Sequence, residues 1–200
     1  MKKLNQLKEL LNYYNIDGYI VPKNDEFFCE YTSDNKDKLK FISNFSGSYG
    51  FALILKNKNY LFVDGRYTLQ AKIQSGKLFK IITIPDKFPS DILKKSKLVI
   101  GFDPTLHTKN KLKTFFGSTR CKLISINQNL IDKIWDDKKD TSLKKFFTLP
   151  ENAVGESYKS KINKLIRILN KKKADLQFIT ASENVAWLLN IRGQDSDFSP

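Results

Sequence analysis

The spacing of apolar residues divides the chain into alternating helices and strands. Leucines recur at helical spacing near the N-terminus, while "GYIVP" (18–22) and "YGFALILK" (49–56) are apolar on both faces, as buried strands are. The turn "NKN" between the second of these strands and "YLFV" predicts a β-hairpin. Strands at 79–85, 97–104 and 121–126 are separated by helical patterns. The sequence therefore predicts an α/β fold in which helices flank a mixed β-sheet.

A second set of elements begins after residue 150. The pattern predicts a helix over 158–170, a strand over 174–180 and a helix over 182–190. In "NIDGYIVP" and in "KADLQFIT" alike, the exit from a helix is followed by an aspartate and then by an apolar strand. The same order of elements in two places indicates a possible duplication.

This second set stops before any hairpin. We therefore predict one domain over 1–150, followed over 151–200 by a linker and the truncated start of a second, similar domain.

Composition narrows the class of protein. With 40% hydrophobic residues, the chain can bury a sizeable core. Cys29 and Cys121 lack the spacing of a metal or redox motif, and the N-terminal segment mixes polar residues into its leucines, unlike a signal peptide. No stretch is long and apolar enough to span a membrane. We predict a cytoplasmic protein with no membrane partner.

The net charge of +14 raises the question of nucleic-acid binding. Lysine supplies nearly all of the basic residues, and the lysines are scattered along every segment. Proteins that bind nucleic acids usually concentrate charge on one face and use arginine to grip phosphates and bases. We therefore predict no specific nucleic-acid partner. A basic nucleic-acid module ranks third, behind the two functions considered at the end of this subsection.

The turn in "NYLFVDGRYTLQA" (59–71) breaks a local rule. Asp64 is placed to cap the helix that follows it, which puts Arg66 in the first helical turn. A cation there is disfavoured by roughly 0.3–1 kcal/mol, and such conflicts concentrate at functional sites. Two interpretations remain open: an internal ion pair between Arg66 and Asp64 that serves only the turn, or contact between Arg66 and a ligand.

Other polar and aromatic residues receive simpler interpretations. His107 is expected to be a solvated loop residue, and Trp135 and Trp187 are expected to pack in the core because they occupy apolar helical positions. Asp195 and Asp197 can cap a helix or bind a ligand, and the sequence does not decide between these roles.

Four segments, in the order of the family, resemble the N-terminal half of Xaa-Pro aminopeptidases (aminopeptidase P). They are "FISNFSGSYGFALIL", "YLFVDGRYTLQA", "NLIDKIW" and "ITASENVAWLLNIRGQD". The resemblance is closest to the three-domain form, in which two creatinase-like N-terminal domains of ribonuclease H-like fold precede the catalytic domain. This chain has Ser46 where family members have the aspartate of "FDGS".

The resemblance implies release of an N-terminal residue that precedes proline, by two divalent metals, commonly manganese. The metal ligands of the family lie in a C-terminal domain that cannot be mapped onto these residues, so we expect no catalytic residue, metal or cofactor in this segment. The resemblance implies that Arg66 contacts the bound peptide, whose second residue is proline. It also implies a homodimer in the full-length form. The alternative is a non-catalytic peptide- or protein-binding module of the same fold.

Overall fold

The chain forms two compact units. A computed structural model describes residues 1–29, 32–136 and 144–194. The first unit comprises Met1–Glu26 and Asp34–Lys139, and the second comprises Phe27–Ser33 and Asp140–Pro200. The division at residue 150, which the sequence suggests, stays a prediction.

The first unit is built on a six-stranded sheet in the order β4-β3-β2-β1-β5-β6. Its strands are β1 (Gly18–Pro22), β2 (Gly50–Leu55), β3 (Asn59–Asp64), β4 (Lys80–Ile84), β5 (Val99–Phe102) and β6 (Lys122–Ser125). Strand β2 is antiparallel to β1 and β3, whereas β3 is parallel to β4 and β5 is parallel to both β1 and β6. The sheet is therefore mixed, as predicted, and β2 alone of these six strands runs in the opposite direction.

Helices cover both faces of this sheet. They are α1 (Lys2–Tyr13), α2 (Lys38–Ser43), α3 (Thr68–Ser75), α4 (Pro89–Leu93) and α5 (Lys109–Phe116). Successive residues of β2 point to opposite faces: Ile54 packs with α1, α2 and α3, while Phe51 and Leu53 pack with α4 and α5. A central strand between two apolar layers must be apolar on both sides, which explains the unbroken apolar pattern of β2.

The described residues of the second unit form two short strands and three helices. They are β7 (Phe147–Thr148), α6 (Glu151–Val154), α7 (Tyr158–Lys172), α8 (Ser182–Leu189) and β8 (Ile191–Arg192). Strands β7 and β8 pair antiparallel. Helix α7 confirms the predicted helix over 158–170, and α8 confirms the one over 182–190.

The predicted strand over 174–180 is wrong. These residues adopt no regular structure, and Leu176 and Phe178 are 76% and 80% exposed. A strand needs a neighbour to accept and donate its backbone hydrogen bonds, and the described residues of this unit offer none to this segment. Trp187 is 59% exposed, so its predicted place in a core is also wrong.

The similarity between the two sets of elements extends to the C-terminal ends of α1 and α7. Asn15 follows α1 with φ 50°, and Lys173 follows α7 with φ 53°. The N–H of the next residue reaches back five positions in each case, from Ile16 to the Leu11 carbonyl and from Ala174 to the Leu169 carbonyl. These are the hydrogen bonds of a Schellman C-cap, formed twice at matching places.

Two residues considered in the sequence analysis, Trp135 and His107, lie inside the first unit. Trp135 stacks on Phe41 with ring centroids 4.4 Å apart and packs against the core, as predicted. His107 is only 7% exposed, so the expectation of a solvated residue is wrong. Neither of its ring nitrogens makes a hydrogen bond of normal geometry with a described residue. Burial, and secondarily the charge of Lys111, lower the pKa of His107 to about 4, although Asp103 acts in the opposite direction.

The apolar packing of β2 predicts a contrast between two isoleucines. Ile54→Ala should lower the free energy of unfolding of the chain by about 2–5 kcal/mol, because Ile54 is fully buried. Ile73→Ala makes the same chemical change on α3 at a side chain that is 78% exposed, and should change stability by less than about 0.5 kcal/mol. Urea titrations of both variants measure this, and equal losses would contradict the described core.

The burial of His107 predicts a loss of stability in mild acid. The unfolded histidine binds a proton near its ordinary pKa of 6.5, whereas the folded one does so only near 4. The unfolded state therefore binds more protons between these values, so His107 lowers stability as the pH falls through this window. The loss amounts to about 3 kcal/mol at pH 4.

His107→Gln removes the titrating group and should flatten this part of the pH profile. The comparison uses the free energy of unfolding of each protein relative to its own value at pH 7, since the substitution also changes packing. Parallel profiles for the two proteins between pH 7 and pH 4 would show that His107 does not cause the loss.

Candidate functional site

The reversed direction of β2 brings several loops to one edge of the sheet. The carboxyl ends of β1 and β3 lie at this edge, together with the start of β2 at Gly50. Asp64 is the last residue of β3, and a 3-10 turn over Gly65–Tyr67 leads from it into α3. Strand-to-helix turns at the carboxyl edge are where α/β sheets commonly place ligand-binding groups.

Asp64 holds Arg66 by its backbone and by its side chain. The Asp64 Oδ1 accepts hydrogen bonds from the Arg66 backbone N at 2.9 Å and from Nε at 3.2 Å. The Asp64 Oδ2 accepts from Arg66 Nη2 at 2.7 Å. The hydrogen bond from the Arg66 side chain lowers the pKa of the Asp64 carboxyl below its ordinary value. The predicted cap by Asp64 is confirmed, with the first turn wound as a 3-10 helix.

The residues beneath the turn fix its position. The Tyr67 and Ser48 hydroxyl oxygens lie 2.8 Å apart in a hydrogen bond, and the Tyr67 ring packs edge-on against Phe45 with centroids 5.7 Å apart. The Thr68 and Thr83 hydroxyls, 3.3 Å apart, connect the start of α3 to β4. The turn that carries Arg66 is therefore attached to two neighbouring segments of the first unit, the loop before β2 and strand β4.

Two glutamines of α3 hold the loop that precedes β2. The Ser46 Oγ accepts hydrogen bonds from Gln70 Nε2 at 3.0 Å and from Gln74 Nε2 at 2.9 Å, and the Ser46 backbone N donates to Gln74 Oε1 at 3.0 Å. Sequence analysis missed this arrangement. The signal was the spacing of four between the glutamines, which places both on one face of the helix.

A buried ion pair at the end of β1 also escaped sequence analysis. The ammonium of Lys23, the residue after β1, pairs with the carboxylate of Asp37, and their side chains are 11% and 4% exposed. Asp37 caps α2 as well, accepting from the Lys40 backbone N at 2.9 Å. An aspartate directly before a helical pattern was the available signal for the cap, but no sequence pattern identified the lysine partner.

Both interpretations of Arg66 are compatible with this geometry. The internal ion pair with Asp64 is present, and the Arg66 side chain is nevertheless 72% exposed. A guanidinium carries five N–H donors in a planar fork, so one carboxylate does not exhaust its capacity. The contact with a bound peptide that the resemblance implies stays a prediction.

The remaining candidates form no catalytic cluster in the described ranges. Within residues 1–29, 32–136 and 144–194, no group of three or more His, Cys, Asp or Glu side chains is placed to hold a metal ion. Cys29 Sγ lies 3.5 Å from the Ser182 Oγ, and Cys121 Sγ donates to the Ser96 carbonyl at 3.6 Å. Asp195 and Asp197 lie outside the described residues.

Among the helices in the described part of the chain, none combines the length and the apolar character needed to cross a bilayer.

Several proteins named as Xaa-Pro aminopeptidases are similar to the chain along its whole length. It is 35% identical over 210 residues to a protein of Laccaria bicolor named "Probable Xaa-Pro aminopeptidase P", an alignment that covers 100% of this chain and 33% of the relative. It is 32% identical to "Aminopeptidase P1" of Lotus japonicus, with 98% of this chain and 31% of the relative covered. The chain thus spans about one third of the length of these relatives.

Solved structures show the same fold. The X-prolyl aminopeptidase of Caenorhabditis elegans, described as a cytosolic enzyme with a di-nuclear active site, superposes with a TM-score of 0.85 and 30% identity. The superposition covers 98% of this chain and 35% of that one. The N-terminal domain of the cytoplasmic peptidase PepQ from Mycobacterium tuberculosis gives a TM-score of 0.52 at 18% identity, and covers 66% of this chain and 98% of that one. The predicted fold class, a mixed sheet flanked by helices, is confirmed.

Family models account for most of the sequence. Residues 3–134 match a model described as the creatinase/prolidase N-terminal domain, and residues 137–200 match a second model with the same description. The first match alone covers more than half of the chain and contains the whole six-stranded sheet. The chain therefore belongs to the creatinase/prolidase N-terminal domain family and corresponds to the N-terminal region of its Xaa-Pro aminopeptidase relatives.

Proposed function

We propose that this chain is the N-terminal, non-catalytic part of a metal-dependent Xaa-Pro aminopeptidase, in which it shapes the substrate cleft and contributes to assembly. The observation that carries this proposal is the geometry of Arg66. Its guanidinium is exposed at the carboxyl edge of the sheet and is oriented by Asp64. The similarity of the whole chain to the N-terminal third of Xaa-Pro aminopeptidases supports the assignment.

The proposed role of Arg66 is to contact the bound peptide. A guanidinium donates two parallel hydrogen bonds to a carboxylate, or single ones to main-chain carbonyl groups, and a peptide offers both acceptors. The negative charge of Asp64 holds the side chain in one orientation before the peptide arrives, which lowers the entropy lost on binding.

The chemical step is assigned to residues outside this chain. The described residues contain no cluster that fits a metal ion. The di-nuclear active site of the Caenorhabditis elegans neighbour supports a pair of divalent metals, manganese in our proposal, held by a catalytic domain. The residues of this chain bind and orient the peptide and perform no bond-breaking step.

The proposal includes a location and an assembly. We place the full-length protein in the cytoplasm, with support from the neighbour that is described as a cytosolic enzyme. We also propose that the full-length form is a homodimer, as the family resemblance implies.

Arg66→Ala in the full-length protein should mainly weaken substrate binding. Loss of one charge-assisted hydrogen bond is worth roughly 1.5–3 kcal/mol, which corresponds to about a tenfold to hundredfold fall in kcat/KM. The fall should come from a higher KM for the tripeptide Ala-Pro-Ala. Folding should be nearly unaffected, because an exposed ion pair contributes little to stability.

Lys72→Ala is the matched control, because Lys72 is an exposed cation on α3 outside the turn. This variant loses the same charge and should keep the KM of the wild type. The proposed role of Arg66 is wrong if Arg66→Ala lowers the melting temperature clearly while KM and kcat stay at their wild-type values.

The assignment of catalysis to other residues predicts that residues 1–200 alone release no alanine from Ala-Pro-Ala when manganese is added. The described residues offer no metal cluster to activate water. The full-length protein, assayed under the same conditions, is the positive control. Turnover by residues 1–200 that survives repurification and disappears with a chelator would overturn the assignment.

A further inference from the structure

Gly65 is the first residue of the 3-10 turn and lies between Asp64 and Arg66 in the chain. A Cβ built on Gly65 would meet no atom within 4 Å among the described residues. The backbone of Gly65 also does not have the positive φ that favours glycine. The first unit would therefore accommodate a larger residue at this position.

At each of the other glycines whose surroundings are described, the fold explains why a larger residue would be unfavourable. At six of them a Cβ would lie less than 3.0 Å from another atom: Gly18, Gly47, Gly50, Gly76, Gly101 and Gly117. Gly155 has a φ of +68°. Gly65 is the exception within this set of eight.

A glycine that the fold itself does not require lowers the free energy of unfolding. It gives the unfolded chain more conformations than alanine would, and this cost is not recovered where the native backbone is open to any residue. The benefit of Gly65 must then come from outside the first unit. Close approach between the backbone and a ligand is one of the purposes that glycine serves, and it is the one that fits a position beside an exposed guanidinium.

We infer that Gly65 provides the clearance for the substrate peptide, whose main chain passes in van der Waals contact with the Gly65 Cα while Arg66 binds its acceptor groups. The inference rests on the proposed function and deepens it, since it assigns a second residue of the same turn to peptide binding. The Cβ of any other residue would project into the open space that the peptide fills. Gly65 is thus a residue that determines how closely the peptide lies against the turn.

The hydrogen bonds within the turn explain why Asp64, Gly65 and Arg66 follow one another in this order. Asp64 fixes the Arg66 side chain through the hydrogen bond from Nη2, at 2.7 Å, and through the one from the backbone N, at 2.9 Å. A peptide that lies over the residue between them reaches the guanidinium without displacing the carboxylate. A side chain on residue 65 would hold the peptide away from donors whose positions the turn has already set.

The test is a graded series in the full-length protein, Gly65→Ala followed by Gly65→Val. Displacement of the peptide by the width of a methyl group should raise KM for Ala-Pro-Ala by about tenfold in the alanine variant, and further in the valine variant, while kcat changes little. The melting temperature of Gly65→Ala should stay at the wild-type value or rise slightly.

Gly76→Ala is the matched control at the other end of α3. Gly76 is exposed too, but a Cβ there would lie 2.4 Å from the Lys72 carbonyl oxygen. This control should show the opposite pattern, a lower melting temperature with a wild-type KM.

Two results would overturn the inference. One is a wild-type KM in Gly65→Ala together with a raised KM in Arg66→Ala, which leaves the proposed role of Arg66 intact. The other is a fall in the melting temperature of Gly65→Ala as large as that of Gly76→Ala, which would show that the fold itself needs the glycine. A wild-type KM in both Gly65→Ala and Arg66→Ala would overturn the proposed function along with the inference.

Discussion

The antiparallel pairing of β2 with β1 and β3 determines both the core and the site of the first unit. Because β2 lies between two apolar layers, its register sends Ile54 toward α1, α2 and α3, and Phe51 toward α4 and α5. A slip of one residue would exchange these faces, so the pairing specifies the packing of all five helices. The same pairing brings the start of β2 to the edge where β3 ends, and so places the loop around Ser46 beside the turn that carries Arg66.

Arg66 carries a positive charge in the first turn of a helix, and its ion pair with Asp64 fixes the orientation of the side chain more than it stabilises the fold. A cation in the first turn of a helix is unfavourable, and the Asp64 carboxylate offsets that charge from the capping position. Exposed ion pairs contribute at most about 1 kcal/mol, and the Arg66 side chain is largely exposed. The ion pair therefore adds little to folding and mainly restricts the orientation of the guanidinium. Pre-orientation of this kind matters most for a group that binds a ligand.

The sequence predicted the elements whose signals are local. Buried strands such as β2 show apolar runs, and the cap at Asp64 follows from residue type and place. The segment over 174–180 also carries apolar residues, Leu176, Phe178 and Ile179 among them, but forms no strand, because a strand depends on neighbours that its own sequence cannot supply. The burial of His107 could not be predicted for a related reason: its polar loop gives no sign that the ring packs edge-on against Phe102. The hydrogen bonds to Ser46 and the role inferred for Gly65 depend on distances between segments, which a pattern along the chain does not contain.

The central claim is that Arg66, oriented by Asp64, touches the substrate. A crystal structure of the full-length protein with a bound Xaa-Pro peptide measures this directly. Our account predicts a distance of about 2.7–3.2 Å between a guanidinium nitrogen of Arg66 and an oxygen of the peptide, with the ion pair to Asp64 retained. A peptide bound productively, with every one of its atoms well beyond hydrogen-bonding distance of Arg66, would contradict it.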